Sequence, residues 1–168
     1  LDSSTNNFTI TRNGNTTQGS ASPYYGPGNW SNYFTGSASC YIQSGTTPST
    51  LNFGTGDFTV ELWVYFQASN STYNPFIRMD GTGGFDFGYD FSVSQIKYAG
   101  SASVIAASWT PTLGTWYHVT VTRSSGSSRI FINGTQVGST ATGDTNNYAA
   151  TAFKIGGSSF STTNVMYG

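Results

Sequence analysis

Charge is scarce in this sequence. Only 8% of the 168 residues are Asp, Glu, Lys or Arg, and the formal net charge is −1. An average soluble protein carries about 25%. Six scattered Lys and Arg cannot form a stripe that follows phosphates, which excludes nucleic acid as a partner. They give no polybasic segment for a membrane surface. No apolar run approaches the ~18 residues of a spanning helix, so membrane insertion is not expected. No signal-peptide pattern opens the chain, and Leu1 as first residue suggests a segment of a longer or processed protein. Cysteine is limited to Cys40. It can form no internal disulfide and has no zinc-ligand neighbours, so it reads as a small buried apolar residue. Histidine is limited to His118, and no G-x-S-x-G occurs. A Ser-His-Asp hydrolase therefore has no support, and His118 reads as a hydrogen-bonded structural residue. Helical periodicity is missing throughout.

Aromatic residues are plentiful: 12 Phe, 11 Tyr and 4 Trp. Disordered chains are polar too, but they lack aromatics and carry high net charge, so this chain should fold. Its length suits one domain, 1–168, with a single core. Two-residue alternation recurs. In "FTVELWVYF", Phe58, Val60, Leu62, Val64 and Phe66 share one face, and Thr59, Glu61, Trp63 and Tyr65 the other. "FDFGYDFSV" alternates Phe85, Phe87, Tyr89, Phe91 and Val93 against Asp86, Gly88, Asp90 and Ser92. "WYHVTVTR" predicts a strand, and "RIFIN-GTQVGS" predicts a hairpin turning at Asn133–Gly134. Asn-Gly suits a type I′ turn, which needs positive φ at both central residues. "NFTIT", "NYFTGSASCYIQ", "NPFIRM", "VIAAS" and "AFKIGGS" predict further strands, with turn-rich breaks every 8–12 residues or so. The fold class is all-β, an antiparallel sandwich or barrel.

The order of motifs then resembles a family. "LNFGTGDFTVELWVYF", "GTWYHVTVTRSSGSSRIFINGTQVGS" and "FKIGGS" follow one another as in the laminin-G-like jelly rolls of the concanavalin A-like lectin/glucanase superfamily. The matching segments are Asp57 to Val64, Trp116 to Thr120, Ile130 to Val137 and Ile155 to Gly157, and the resemblance covers about residues 30 to 168. It implies a concanavalin A-like antiparallel β-sandwich, with residues 1–29 as a lead-in. The opening also looks like the lead-in to such modules in phage tail and other virion structural proteins. That implies a virion surface or extracellular setting, with a tail fibre or capsid decoration as the parent. In the family a closing strand follows the "IG" strand. Here the sequence stops at Met166–Tyr167–Gly168, so that strand is expected to be missing or supplied by a partner.

Some members of that superfamily cleave glycans, which needs two carboxyl groups about 5–9.5 Å apart. None of the seven carboxylates stands at i, i+2 spacing; Asp57 and Glu61, like Asp86 and Asp90, are i, i+4, about 13 Å along a strand. Cross-strand pairs stay open, but no enzyme is expected. No cofactor is required. Calcium at a loop rim is an option that the resemblance raises, with Asp80, Asp144 and Asn146 as candidate ligands beside Asn147 and the Asp86/Asp90 face, and Asp2 and Asp57 as weaker ones; solvated turn residues are the alternative. For binding, the apolar face of a sugar stacks on rings whose polar edge stays wet. Tyr24, Tyr25, Trp30, Tyr73, Trp109 and Tyr148 lie in or beside turn-rich segments and are the candidate ligand-binding residues, whereas Trp63 and Trp116 read as core. With only Lys97 and Lys154 as lysines and almost no net charge, strand edges are poorly guarded. A homo-oligomer, or burial within a longer chain, is therefore expected. The function expected is a non-catalytic glycan-binding or adhesive module that contacts surface glycans or other virion subunits. A purely structural decoration module is the alternative.

Overall fold

The computed structural model describes residues 5, 7–26, 28–37, 39–44, 51–69, 72–101, 103–157 and 166–168. Asp2 lies outside them. In chain order the strands are β1 (Ile10–Asn13), β2 (Thr17–Gly19), β3 (Ser31–Tyr33), β4 (Tyr41–Ser44), β5 (Phe58–Tyr65), β6 (Tyr73–Thr82), β7 (Phe85–Asp90), β8 (Gln95–Ala99), β9 (Ser103–Ser108), β10 (Trp116–Ser124), β11 (Ser127–Ile132), β12 (Thr135–Thr142) and β13 (Ala149–Ile155). A seven-stranded sheet has the order β1-β4-β13-β6-β7-β8-β9, and a four-stranded sheet the order β12-β11-β10-β5. β2, from the lead-in, and β3, just after it, pair as a separate two-stranded sheet. Pairing within each sheet is antiparallel.

The two larger sheets pack through the alternating residues. Phe58, Val64, Val119, Val121, Ile130 and Ile132 meet Ile77, Met79, Phe85, Phe87, Tyr89, Ile96 and Tyr98, all buried. Burying side chains of this size stabilises by about 1.5–3 kcal/mol each, which holds the layers together. The Asn133–Gly134 turn is present, with φ of 50° and 80°, as a type I′ hairpin requires.

"FDFGYDFSV" is shorter as a strand than its alternation predicts. It ends at Asp90 because the Asp90 carboxylate accepts from the Ser92 N–H at 3.0 Å and the Ser92 hydroxyl, closing a local turn. Val93 is left exposed at its tip. Within the strand, Gly88 cannot be replaced in place: a Cβ there would sit 2.4 Å from the Asn74 carbonyl oxygen and 2.6 Å from the Tyr73 hydroxyl.

Arg123 is the largest fully buried side chain. It points inward from β10 opposite Phe58. Its guanidinium lies over the rings of Phe58 and Tyr148, 5.0 and 5.2 Å from their centroids. It donates to the carbonyls of Gly54, Gly56 and Asn146 and faces Asp144 at 3.5 Å. Four of its hydrogen bonds go to loop carbonyls and a fifth to the Asp144 carboxylate, which uses all five donors of the planar guanidinium.

The outward face of the seven-stranded sheet carries paired charges. Arg78 bridges Asp80 and Asp86 at 3.0 and 2.8 Å, Lys154 meets Asp80 at 2.8 Å, and Lys97 meets Asp90 at 2.7 Å. Burial works against ionising Asp80, but hydrogen bonds from Lys154 and Arg78 outweigh it and hold the carboxyl below its usual range. Asp90 is lowered in the same way by Lys97 and Ser92. Deeper burial wins at Asp86, whose pKa is raised.

Candidate functional site

The outward face of the four-stranded sheet has a different character. On β5, Thr59, Glu61, Trp63 and Tyr65 point away from the core because Phe58, Val60, Leu62 and Val64 point into it. The register sets Tyr65 beside Trp116, Trp63 beside His118 and Glu61 beside Thr120. Ring centroids are 5.3 Å apart for Tyr65–Trp116 and 5.2 Å for Trp63–His118. Cross-strand aromatic neighbours of this kind hold one another in place. His118 Nε2 lies 3.6 Å from Glu61 Oε2, and 61% of the Glu61 side chain is exposed.

The lead-in folds across this face. The Tyr24 hydroxyl accepts the indole N–H of Trp63 at 2.7 Å, with the rings edge to face at 5.7 Å. Asn29 pins the loop, its amide donating to the carbonyls of Tyr24, Tyr25 and Gly26 at 3.3–3.4 Å. Tyr24 is 60% exposed, Trp30 67% and Trp63 37%, and Tyr25 projects fully into solvent. Between the lead-in and the open edge of β5 runs a cleft of about 1110 Å³. Tyr24, Trp30, Trp63, Tyr65 and Trp116 form its aromatic rim, and Leu62, Val64, Ile77, Ile155 and Met166 its apolar floor. Among the described residues no strand pairs with that edge of β5. Residues 166–168 lie just beyond its end: Gln67 N–H donates to the Tyr167 carbonyl, and Phe34 and Gly168 exchange backbone hydrogen bonds.

The structure thus brings Tyr24 and Trp30 into one cleft and leaves Tyr25 beside it, outside the lining. The other three aromatic candidates are elsewhere. Tyr148 is buried, 2.6 Å from the Tyr98 hydroxyl, and burial pushes its phenol up to about 12. Trp109 is half-buried against Tyr89 and Tyr117, with centroids at 5.3 and 5.0 Å. Tyr73 donates to Asp86 at 2.6 Å on the opposite sheet. All three serve packing instead of a surface site. Trp63 and Trp116 correct the expectation in the other direction, because both line the cleft.

Of the calcium candidates, Asp144 and Asn146 touch each other, and the Asp80 and Asp144 carboxylates are both engaged by protein donors. Asp80 is held by Arg78 and Lys154. Asp144 is buried and accepts from the hydroxyls of Tyr98 and Ser128 at 2.9 and 2.6 Å and from the backbone and side chain of Asn146. Burial opposes ionisation of Asp144, yet these bonds outweigh it and lower the pKa. Asn146 spends its amide on that carboxylate. Protein donors thus occupy the Asp80 and Asp144 oxygens that a calcium ion would need. Among the described residues no three His, Cys, Asp or Glu side chains cluster as metal ligands.

Comparison with known proteins decides the family. A laminin-G family profile, described as the concanavalin A-like lectin/glucanases superfamily, matches residues 34–167. The chain belongs to that superfamily. The jelly roll that its motif order implies is the fold observed, an antiparallel concanavalin A-like β-sandwich. No curated protein matches this superfamily member in sequence. Among solved structures it is similar to domain 4 of AbnA, a GH43 extracellular arabinanase from Geobacillus stearothermophilus, in complex with arabinotriose. That match has 19% identity and a TM-score of 0.68 and covers 98% of this chain and 81% of that one. It is also similar to carbohydrate-binding module CBM66 from Bacillus subtilis, at 16% identity and TM-score 0.53 over 89% of each chain. A third similar structure is domains LG4-5 of the mouse laminin α1 chain, at 12% identity and TM-score 0.56, covering 80% of this chain and 36% of that one. At these identities the likeness is one of fold.

Proposed function

We propose that this domain is a non-catalytic glycan-binding module whose platform is the aromatic rim of the cleft. The observation that carries the proposal is the Tyr24–Trp63 pair. The 2.7 Å hydrogen bond fixes the two rings at a set angle while both stay accessible. A sugar then binds rings that are already ordered, which lowers the entropy cost of association. Glu61, Asn32 and Gln67 stand exposed along the same cleft and offer hydrogen-bonding groups to hydroxyls. Structural neighbours whose own names describe sugar binding lend the proposal further support.

The non-catalytic part rests on the carboxylates. Asp57 is engaged by the Ser125 N–H, and Asp80, Asp86, Asp90 and Asp144 are each tied to a cation or to hydroxyl donors away from the cleft. Glu61 is the one carboxylate that lines the cleft among the described residues, whereas glycoside cleavage uses two. No cofactor is part of the proposal, so EDTA is expected to leave binding unchanged. The setting we infer is an extracellular or virion surface, in a homo-oligomer or a larger assembly. The near-zero charge and the open β5 edge favour an assembled state. A glycan array probed with the wild-type protein and with Trp63→Ala tests the function. Binding of a defined glycan class that the variant loses is the expected result, and no binding by a well-folded, assembled protein would defeat the proposal.

A further inference from the structure

The platform has a marked electrostatic bias that narrows the ligand class. The chain contains six Lys and Arg. Arg78, Lys97 and Lys154 are paired with aspartates on the other sheet's outward face, and Arg123 is fully buried. Arg12 lies on β1 in that same other sheet. Arg129 is on β11, two strands from β5 and in the row of Thr122 and Thr59, and does not line the cleft. Among the described lining residues Glu61 is the only charged side chain, and most of it is exposed.

Glu61 and Trp63 share a face two residues apart, about 6.6 Å along the strand. A pyranose stacked on the Tyr24–Trp63 rings therefore places ring substituents within reach of the Glu61 carboxylate. An ionised carboxylate is acceptor-only, so it receives hydrogen bonds from sugar hydroxyls. A uronate, sialate or sulfate group in the same position brings a like charge close to it, with no Lys or Arg among the described lining residues to answer it. At about 5 Å and an effective dielectric between that of water and ~20, the repulsion weakens binding on the order of tenfold.

Resting on the proposal that this rim binds glycans, we infer that its ligands are neutral, hydroxyl-rich glycans and that Glu61 excludes acidic ones. The test is isothermal titration of the wild-type protein with matched pairs of oligosaccharides: galactan against polygalacturonate, and mannan against mannuronate. A neutral member is expected to bind, its uronate partner to bind at least about tenfold more weakly at low salt, and the gap to shrink severalfold in Glu61→Gln. A uronate that binds as well as or better than its neutral partner would overturn the inference and leave glycan binding standing. A neutral preference that Glu61→Gln does not change would overturn the role given to Glu61. Failure to bind any member, together with a blank glycan array, would remove the underlying proposal and this inference with it.

Discussion

The sandwich has two outward faces, and they solve opposite problems. On the seven-stranded sheet, Lys154, Asp80, Arg78, Asp86 and Tyr73 answer one another in a continuous chain, with Lys97 and Asp90 beside them. Lys154 and Asp80 are almost fully buried. On the four-stranded sheet the corresponding surface is a row of rings beside the Glu61–His118 contact, partly crossed by the lead-in, and Tyr24, Trp30 and Trp63 stay exposed. Polar groups satisfied internally have nothing left to offer a ligand. Exposed rings held at fixed angles have both area and order to offer. Stability chemistry and binding chemistry are thus separated onto different sheets.

That separation can be broken from either side. The largest effect is expected from Lys154→Met, which takes the ammonium partner away from the buried Asp80 carboxylate. Removing one partner of a buried pair should destabilise the fold by about 2–4 kcal/mol in urea unfolding, with glycan affinity unchanged for the folded fraction. The mirror experiment is Trp63→Ala. A central aromatic anchor is worth about 2 kcal/mol, so affinity should fall about 30-fold with a stability change of under about 1 kcal/mol. Tyr24→Phe is milder. It removes the acceptor for the Trp63 indole but keeps the ring, and affinity should fall by about 1 kcal/mol or less through lost ordering.

Acid is the gentlest perturbation. Asp80, Asp90 and Asp144 have folded-state pKa values below the usual carboxylate range. The stability they contribute is complete above about pH 4 and is lost as pH falls through their lowered values. Asp86, with a raised value, titrates with the opposite sign and gains stability as it protonates, which makes the loss partial. Thermal unfolding should show a level or slightly rising midpoint temperature as pH falls towards about 4, where Asp86 protonates, and a fall from about pH 4 to pH 2; a rise below about pH 4 would contradict the charge assignments.

Much of the scaffold was legible in advance, for local reasons. Alternation placed Phe58, Val64 and Phe66 inside, and the Asn133–Gly134 turn could be named because its backbone demands those residues. The site was harder. Alternation sets Trp63 on the same outward side as Thr59 and Glu61, against the general tendency of tryptophan to be buried. Tyr148, Trp109 and Asp144 sit in turn-rich sequence, but their partners are distant: Tyr98 reaches Tyr148 across 50 positions and Asp144 across 46. No local pattern reports on contacts of that range. The Tyr24–Trp63 bond spans 39 positions and was invisible for the same reason.

The most direct measurement is an NMR titration of the isotope-labelled protein with a neutral oligosaccharide chosen from the array. The amide and indole shifts that move should cluster at Tyr24, Trp30, Glu61 to Tyr65 and Trp116 to His118. Shifts confined to Arg78, Asp86, Lys97 and Lys154, on the face whose charges are already satisfied, would contradict the division of labour between the two sheets.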